Sequence, residues 1–508
     1  MIYENILCDF SNEKNIAIKY SDISINYSEL ANYIIECESN IYYDKLADVI
    51  IVFMEKGIEI IVSILTIFYS EHIFCVLDTK TNDNTLKEII EETHSNSIFT
   101  DKKNIHRIKE FASELNSSIN IFEFIFENKK LIINNEISCS KNFDKTYKNI
   151  YNSDVSHIIY TSGSTSKPKG ILCSKTSLIN YIKWECDFLN VNSNTNVSML
   201  SAVCFEPFLR DLFVPLHVGG CICVPTKREE FDPNAFFEYI NENSVNLIHI
   251  VPTMFRYLFL QNTVIETFID YILIAGEMLY GSDIKKYFET YKRLNLYNLY
   301  GPSETTMAQF YHKIDARDQD KYIVCVGKPL PNTYFELCSD ENNNEKEVVI
   351  YTKNGSHGYA DRYLNQGKFC FLGNGISAFK TGDLGCIDEN NNLVILGRKD
   401  NMKKVYGQKV YPEEIEGVLN EFCGVKKSIV IIKENKIIAI LETAKNFVVE
   451  KFYDHLKLNL ISYKIPHFIY FIDVIPLNKS GKIDRKEILK HMDDYNLKKL
   501  TLNGRAKT

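Results

Sequence analysis

A chain of 508 residues is too long for one compact core, so two to four structural units are expected, and its 45% apolar content is ample to fill them. The formal net charge of -8 excludes the broad basic surface that would neutralise nucleic-acid phosphates, so no nucleic-acid partner is expected. Fourteen cysteines run from Cys8 to Cys423 without a C-x-x-C pair, a pattern of reduced thiols in a cytoplasmic protein.

The opening "MIYENILCDFSNEKN" is charged within its first few residues and lacks a long apolar run, so no secretion signal is expected. Short β-rich runs then alternate with helical patterns. "VIIVFM" at Val49–Met54, Ile58–Tyr69 and "IFCVLD" at Ile73–Asp78 read as strand, helix and strand, the signature of α/β layers with parallel strands. Such apolar runs are far shorter than the ~20 residues that cross a bilayer, so no membrane partner is expected. The polar stretch Glu127–Asn152 reads as a connector. After the strand "SHIIY" comes "TSGSTSKPKG", Thr161–Gly170, whose hydroxyls, glycines and lysines suit phosphate contact, with Lys167 or Lys169 supplying charge. Its spacing is not that of a Walker A loop, and composition alone equally fits a flexible Ser/Gly loop.

Cys221 and Cys223 fall on one face of a short strand, where thiols behave as small hydrophobes. From about Asn332 the texture shifts to shorter strands between turn clusters such as "SDENNNE", which predicts a β-rich subdomain. A boundary is expected at "GRKDN", Gly397–Asn401, leaving a last segment of small-domain size.

The string at Thr161–Gly170 resembles the phosphate loop of the acyl-adenylate-forming enzymes, which include the adenylation domains of nonribosomal peptide synthetases, acyl-CoA synthetases and luciferases. The likeness recurs in order along the chain. "INYSELANYI" (Ile25–Ile34), "NLYGPSETT" (Asn298–Thr306), "FKTGDLG" (Phe379–Gly385), "GRKDNMKKVYGQKVYPEEIE" (Gly397–Glu416) and "PLNKSGKIDRK" (Pro476–Lys486) resemble its first, fifth, seventh, eighth and tenth motifs. "SHGYADRYL" resembles the sixth only in part, Ser166 stands where a second glycine is usual, and Lys175 where a histidine follows the loop.

The resemblance implies an α/β fold: a large N-terminal domain of layered sheets with a β-barrel-like subdomain, residues 1–398, and a small mobile α+β C-terminal domain, residues 399–508. It implies ATP and Mg2+ as cofactors. Thr161, Ser162, Gly163, Ser164, Thr165 and Lys169 would hold phosphates, and Tyr300 would stack on adenine with Asn298 and Gly301 beside it. Ser303 would touch phosphate, Glu304 would bind Mg2+, Asp383 would accept from the ribose hydroxyls, and Arg398 would lie near ribose and phosphate. Asp400 falls at the hinge, Lys404 and Gly407 along the thiol tunnel. Lys482 would bridge the substrate carboxylate and the α-phosphate, offsetting the repulsion of two anions.

"VCFEPFLRDLF", Val203–Phe213, resembles the motif of the acid pocket, with Glu206 where an aspartate usually holds the substrate ammonium. A buried ammonium needs a counter-charge, so an amino acid is favoured; the alternative is that Glu206 pairs with Arg210 one helical turn on. By the same resemblance Pro207, Arg210, His249, Leu273, Ala275, Leu299, Met307 and Ala308 line the pocket. Arg210 pointing inward would make it and His249 readers of an acidic or hydrogen-bonding side chain; Arg210 turned to Asp211 would leave an apolar pocket. His249 equally reads as a satisfied core residue.

The reaction implied is amino acid plus MgATP giving aminoacyl-adenylate and pyrophosphate, then acyl transfer to a thiol. Twenty-two residues follow Lys486, too few for a carrier domain, so a separate phosphopantetheinylated carrier protein is the expected partner. An acyl-CoA or aryl-acid ligase, and a non-catalytic ligand-binding member, are the competing readings.

Overall fold

The computed structural model describes residues 14–41, 48–115, 118–137, 151–161, 168–259, 269–291, 295–339, 346–401, 403–405, 408–433, 435–445, 447–478, 482–490 and 498–500. The first predicted elements form as expected: Val49–Phe53 and Ile73–Val76 pair in parallel, joined by the helix Ile58–Tyr69. They belong to a seven-stranded sheet that ends in the antiparallel pair Val155–Thr161 and Lys169–Ser174. A nine-stranded sheet takes in Asn196–Ser198, Cys221–Val224, Leu247–Ile250, Tyr271–Ala275 and Asn295–Tyr300, parallel to one another.

The largest core lies between these sheets. It joins Ile50 and Val52 of one to Val197, Leu247 and Leu273 of the other through the helices Ile58–Tyr69, Lys175–Leu189 and Phe208–Val218. Ile58–Phe68 and Phe208–Leu216 are buried around nearly their whole circumference, as helices between two layers must be. The first motif opens the helix Tyr27–Asn40 with a capping box, in which Asn26 Oδ1 accepts from Glu29 N and Glu29 Oε2 from Asn26 N, both at 2.8 Å. Cys221 and Cys223 are buried in one core, as the alternation implies.

The expected connector at Glu127–Asn152 is corrected in part. Lys130–Ile137 is a strand, paired antiparallel with Asn120–Glu127 along its full length, and residues 138–150 lie outside the described set. Asn128 and Lys129 both take left-handed φ, 50° and 58°, the turn that joins twisted hairpin strands. The strand is an edge, so polar side chains at Asn134–Glu136 can face water, which hid it in the sequence.

The change of texture near Asn332 marks a five-stranded antiparallel sheet beginning at Thr333–Ser339. Beyond it, Val425–Lys433, Lys436–Thr443, Phe468–Ile472 and Lys498–Leu500 form a separate four-stranded sheet with its own core under the helices Pro412–Glu421 and Val449–Asn459. The large α/β body and smaller C-terminal unit agree with the expected fold class. The two meet where Tyr280 Oη donates to Glu413 O at 3.0 Å, and where a Cβ on Gly417 would lie 2.4 Å from Tyr322 Oη. Among the described residues no helix is long and apolar enough to cross a membrane.

Candidate active site

The predicted residues gather at the strand ends where the two bodies meet. Thr161 closes its strand opposite Lys169, and Lys169 Nζ lies 5.8 Å above the Tyr359 ring. Ser162, Gly163, Ser164 and Thr165, with Ser166 and Lys167, fall outside the described residues.

On the side assigned to the nucleotide, Asn298 and Tyr300 end the strand Asn295–Tyr300. Asn298 Nδ2 donates to Cys325 O at 2.9 Å, so the protein already holds its amide nitrogen. Tyr300 Oη donates to Asp383 Oδ2 at 2.5 Å, and Arg398 Nη1 donates to Asp383 Oδ1 at 2.9 Å and to Thr381 O at 2.6 Å. Burial raises the Asp383 carboxyl, with Arg398 and Tyr300 opposing it. Asp400, exposed, lies 3.5 Å from Arg398 Nη2. Gly301 admits no side chain, since a Cβ there would lie 2.4 Å from Met307 O. Ser303 and Glu304 sit in the 3-10 turn Ser303–Thr305; Glu304 Oε1 accepts from Tyr359 Oη at 2.7 Å, and its carbonyl accepts from Ser356 Oγ at 2.6 Å.

Glu206 and Pro207 lead into the helix Phe208–Val218, which carries Arg210 and Asp211. Glu206 is 4% exposed, and its Oε1 has no hydrogen-bond partner among the described residues. Burial pushes its carboxyl up to about 8, with Glu304 adding to the rise and Met307 N, Ser303 and Arg210 opposing it. Leu273, Leu299, Met307 and Ala308 are buried, and Ala275 is half-buried. Thr306 and Met307 both hold left-handed φ, 57° and 60°, a backbone strained for side-chain-bearing residues.

Arg210 pairs with neither of the carboxylates weighed from sequence. Its Nε donates to Glu185 Oε2 at 2.8 Å, and its guanidinium carbon stands 5.6 Å from the Tyr181 ring centroid, while Nη2 is buried without a partner. It is thus paired neither with Asp211 nor with Glu206. His249 is the satisfied core residue, its Nδ1 2.7 Å from Asp211 Oδ1 and its Nε2 2.7 Å from Glu185 Oε1. A neutral imidazole has one N–H, so facing two carboxylates makes it an imidazolium. Both ring nitrogens are used, in keeping with the reading of His249 as a satisfied core residue.

Lys482 stands with the pocket. Its Nζ lies 3.1 Å from where a Cβ on Gly276 would be, and Gly276 follows Ala275 with φ +94°. Lys482 N donates to Asn478 Oδ1 at 3.1 Å, which steadies the turn that presents it. Gly276→Ala is therefore expected to displace the ammonium and to lower the rate of adenylate formation at least tenfold; an unchanged single-turnover rate would contradict this. The side chain of Lys404 and the whole of Gly407 lie outside the described residues.

Several residues escaped the sequence reading. Glu185 had a visible signal, a charge in the apolar stripe Leu178–Ile182–Glu185–Leu189 of its helix, which only a buried partner permits. His157 and Cys173 flank the phosphate loop and bring donor atoms within 4.8 Å of one another and of Glu206. Ser156 Oγ is 2.9 Å from His157 Nδ1, and His157 Nε2 is buried without a partner. Tyr359, the partner of Glu304, lies in the partly matching "SHGYADRYL".

A family model described as AMP-binding enzyme matches residues 11–360. The chain belongs to the AMP-binding enzyme family. Within it the chain is 28% identical over 493 residues to zwittermicin A synthase ZmaJ of Bacillus cereus, covering 93% of this chain and 90% of that one. It is 26% identical to gramicidin S synthase 1 of Brevibacillus brevis, covering 94% of this chain but 42% of that one. Its fold matches a four-domain nonribosomal peptide synthetase bound to AMP and glycine with a TM-score of 0.78 at 21% identity, over 96% of this chain and 36% of that one. This AMP-binding enzyme is an acyl-adenylate-forming ligase with relatives among the nonribosomal peptide synthetases.

Proposed function

We propose that this enzyme activates an amino acid as its aminoacyl-adenylate and passes the acyl group to the phosphopantetheine thiol of a separate carrier protein. The observation that supports the amino-acid reading is Glu206, a buried carboxyl whose Oε1 has no partner among the described residues, with Lys482 Nζ against Gly276, next to Ala275 of the residues assigned to the same pocket. A carboxyl held near 8 keeps its proton at neutral pH when no cation lies beside it. An arriving ammonium restores its charge, and the pair shares one desolvated space.

The acid's carboxylate would then lie toward Lys482, whose ammonium offsets the charge that accumulates as carboxylate oxygen attacks the α-phosphate. Asp383, held by Tyr300 and Arg398, would accept from the ribose hydroxyls. Glu304, its carboxylate fixed by Tyr359, fits Mg2+, which takes one or two protein carboxylates and completes its shell with phosphate and water. The ion, when bound, would neutralise phosphate charge.

Glu206→Gln tests the reading. The amide keeps the volume but loses the charge, so the amino-acid KM is expected to rise roughly tenfold to a hundredfold with the ATP KM nearly unchanged. Equal amino-acid affinity in the variant would remove the assigned role. The same group predicts a pH effect on the ligand-free protein. Its carboxyl is raised from an ordinary 4.5 to about 8, so the folded state holds the proton longer and stability falls as pH rises between those values. Glu206→Gln is expected to flatten that fall in thermal melts, and an unaltered pH profile would contradict it.

A further inference from the structure

Arg210 and His249, two of the residues assigned to the acid pocket, belong to a closed set of four charges. Arg210 and the His249 imidazolium face Glu185 and Asp211, two positive against two negative, all buried. None is free to swing. Asp211 Oδ2 accepts from Ser201 N at 2.9 Å while its Oδ1 holds His249, and both Glu185 oxygens are engaged, by Arg210 and by His249. The set is neutral and its carboxylates are occupied, yet Arg210 Nη2 remains a buried donor without an acceptor among the described residues. One helical turn earlier, Glu206 Oε1 is a buried acceptor without a donor. A ligand with an ammonium and a side-chain acceptor would satisfy both at once.

We infer that the acid is an amino acid with a short, uncharged side chain that accepts a hydrogen bond, a hydroxyl or a carboxamide, and that Arg210 Nη2 is the group that reads it. The inference rests on the amino-acid reading above. An apolar side chain would leave the Arg210 N–H desolvated and unpaired. A carboxylate would add an unbalanced charge to a neutral buried set, and an amine would set donor against donor. Leu273, Leu299 and Met307, assigned to the same lining, are bulky buried side chains, which favours a short one.

The test is ATP–pyrophosphate exchange by the intact chain with matched amino acids: serine against alanine, threonine against valine, asparagine against leucine, glutamine against methionine, together with aspartate, glutamate and lysine. One hydroxyl or carboxamide amino acid is expected to exceed its apolar counterpart and the charged acids by about a hundredfold in kcat/KM, because a site built around a hydrogen bond rejects the analogue that lacks it. Fastest exchange with an apolar, acidic or basic amino acid would overturn the inference and leave the amino-acid reading standing. No exchange with any amino acid would overturn both. Arg210→Lys keeps a cation beside Glu185 but removes Nη2. It should cut the preference between the polar amino acid and its apolar counterpart, both measured on the variant, to about tenfold or less. A preference retained in a folded Arg210→Lys protein would show that Arg210 is not the reader, and should that variant fail to fold, the wild-type panel alone decides.

Discussion

Lys482→Ala is expected to lower amino-acid-dependent adenylate formation by about a hundredfold to a thousandfold while ATP binding changes little. The reason is geometric. Lys482 comes from the C-terminal unit, yet its Nζ lies against Gly276, beside Ala275 of the pocket, where two anions would meet. A cation there acts on charge that crowds only as the carboxylate approaches the phosphate, so its loss falls on the chemical step more than on ground-state binding. Its backbone is held by Asn478 on both sides, N to Oδ1 and O to N, so truncating the side chain leaves the turn intact. Single-turnover rates with ATP affinity by calorimetry check this; wild-type rates in the variant would refute the role.

Glu185→Ala is the largest expected loss of stability, about 3–5 kcal/mol. Glu185 is fully buried, and burial alone would raise its carboxyl, but Arg210 and His249 overcome that and hold it at about 2. Removing it strands a guanidinium and leaves His249 with one carboxylate for two N–H groups. Glu185→Gln, which keeps an acceptor, should cost less. Urea unfolding orders the three proteins, and an Ala variant as stable as wild type would contradict the balanced set of charges.

Much of this architecture was legible where the sequence carries period or punctuation. The runs Val49–Met54, Ile58–Tyr69 and Ile73–Asp78 announce a parallel unit because their apolar residues recur at strand and helix spacing. The resemblance of the motif strings placed Tyr300, Glu304, Asp383, Arg398 and Lys482 as candidates, and the fold draws them toward one meeting place. What stayed hidden depends on partners distant in the chain. Arg210 has Asp211 beside it and Glu206 one turn away, yet pairs with Glu185, 25 residues earlier. Local spacing cannot choose among three carboxylates; burial does, because Asp211 is taken by His249 and Ser201 N. The strand Lys130–Ile137 was missed for a related reason, since an edge strand needs only half an apolar pattern.

Whether this chain makes an aminoacyl-adenylate is decided by amino-acid-dependent ATP–pyrophosphate exchange with the wild-type protein and Mg2+. Label is expected to pass from pyrophosphate to ATP with at least one amino acid and with no aryl or fatty acid. Exchange driven only by an aryl or fatty acid, or ATP binding with no exchange from any acid, would contradict it.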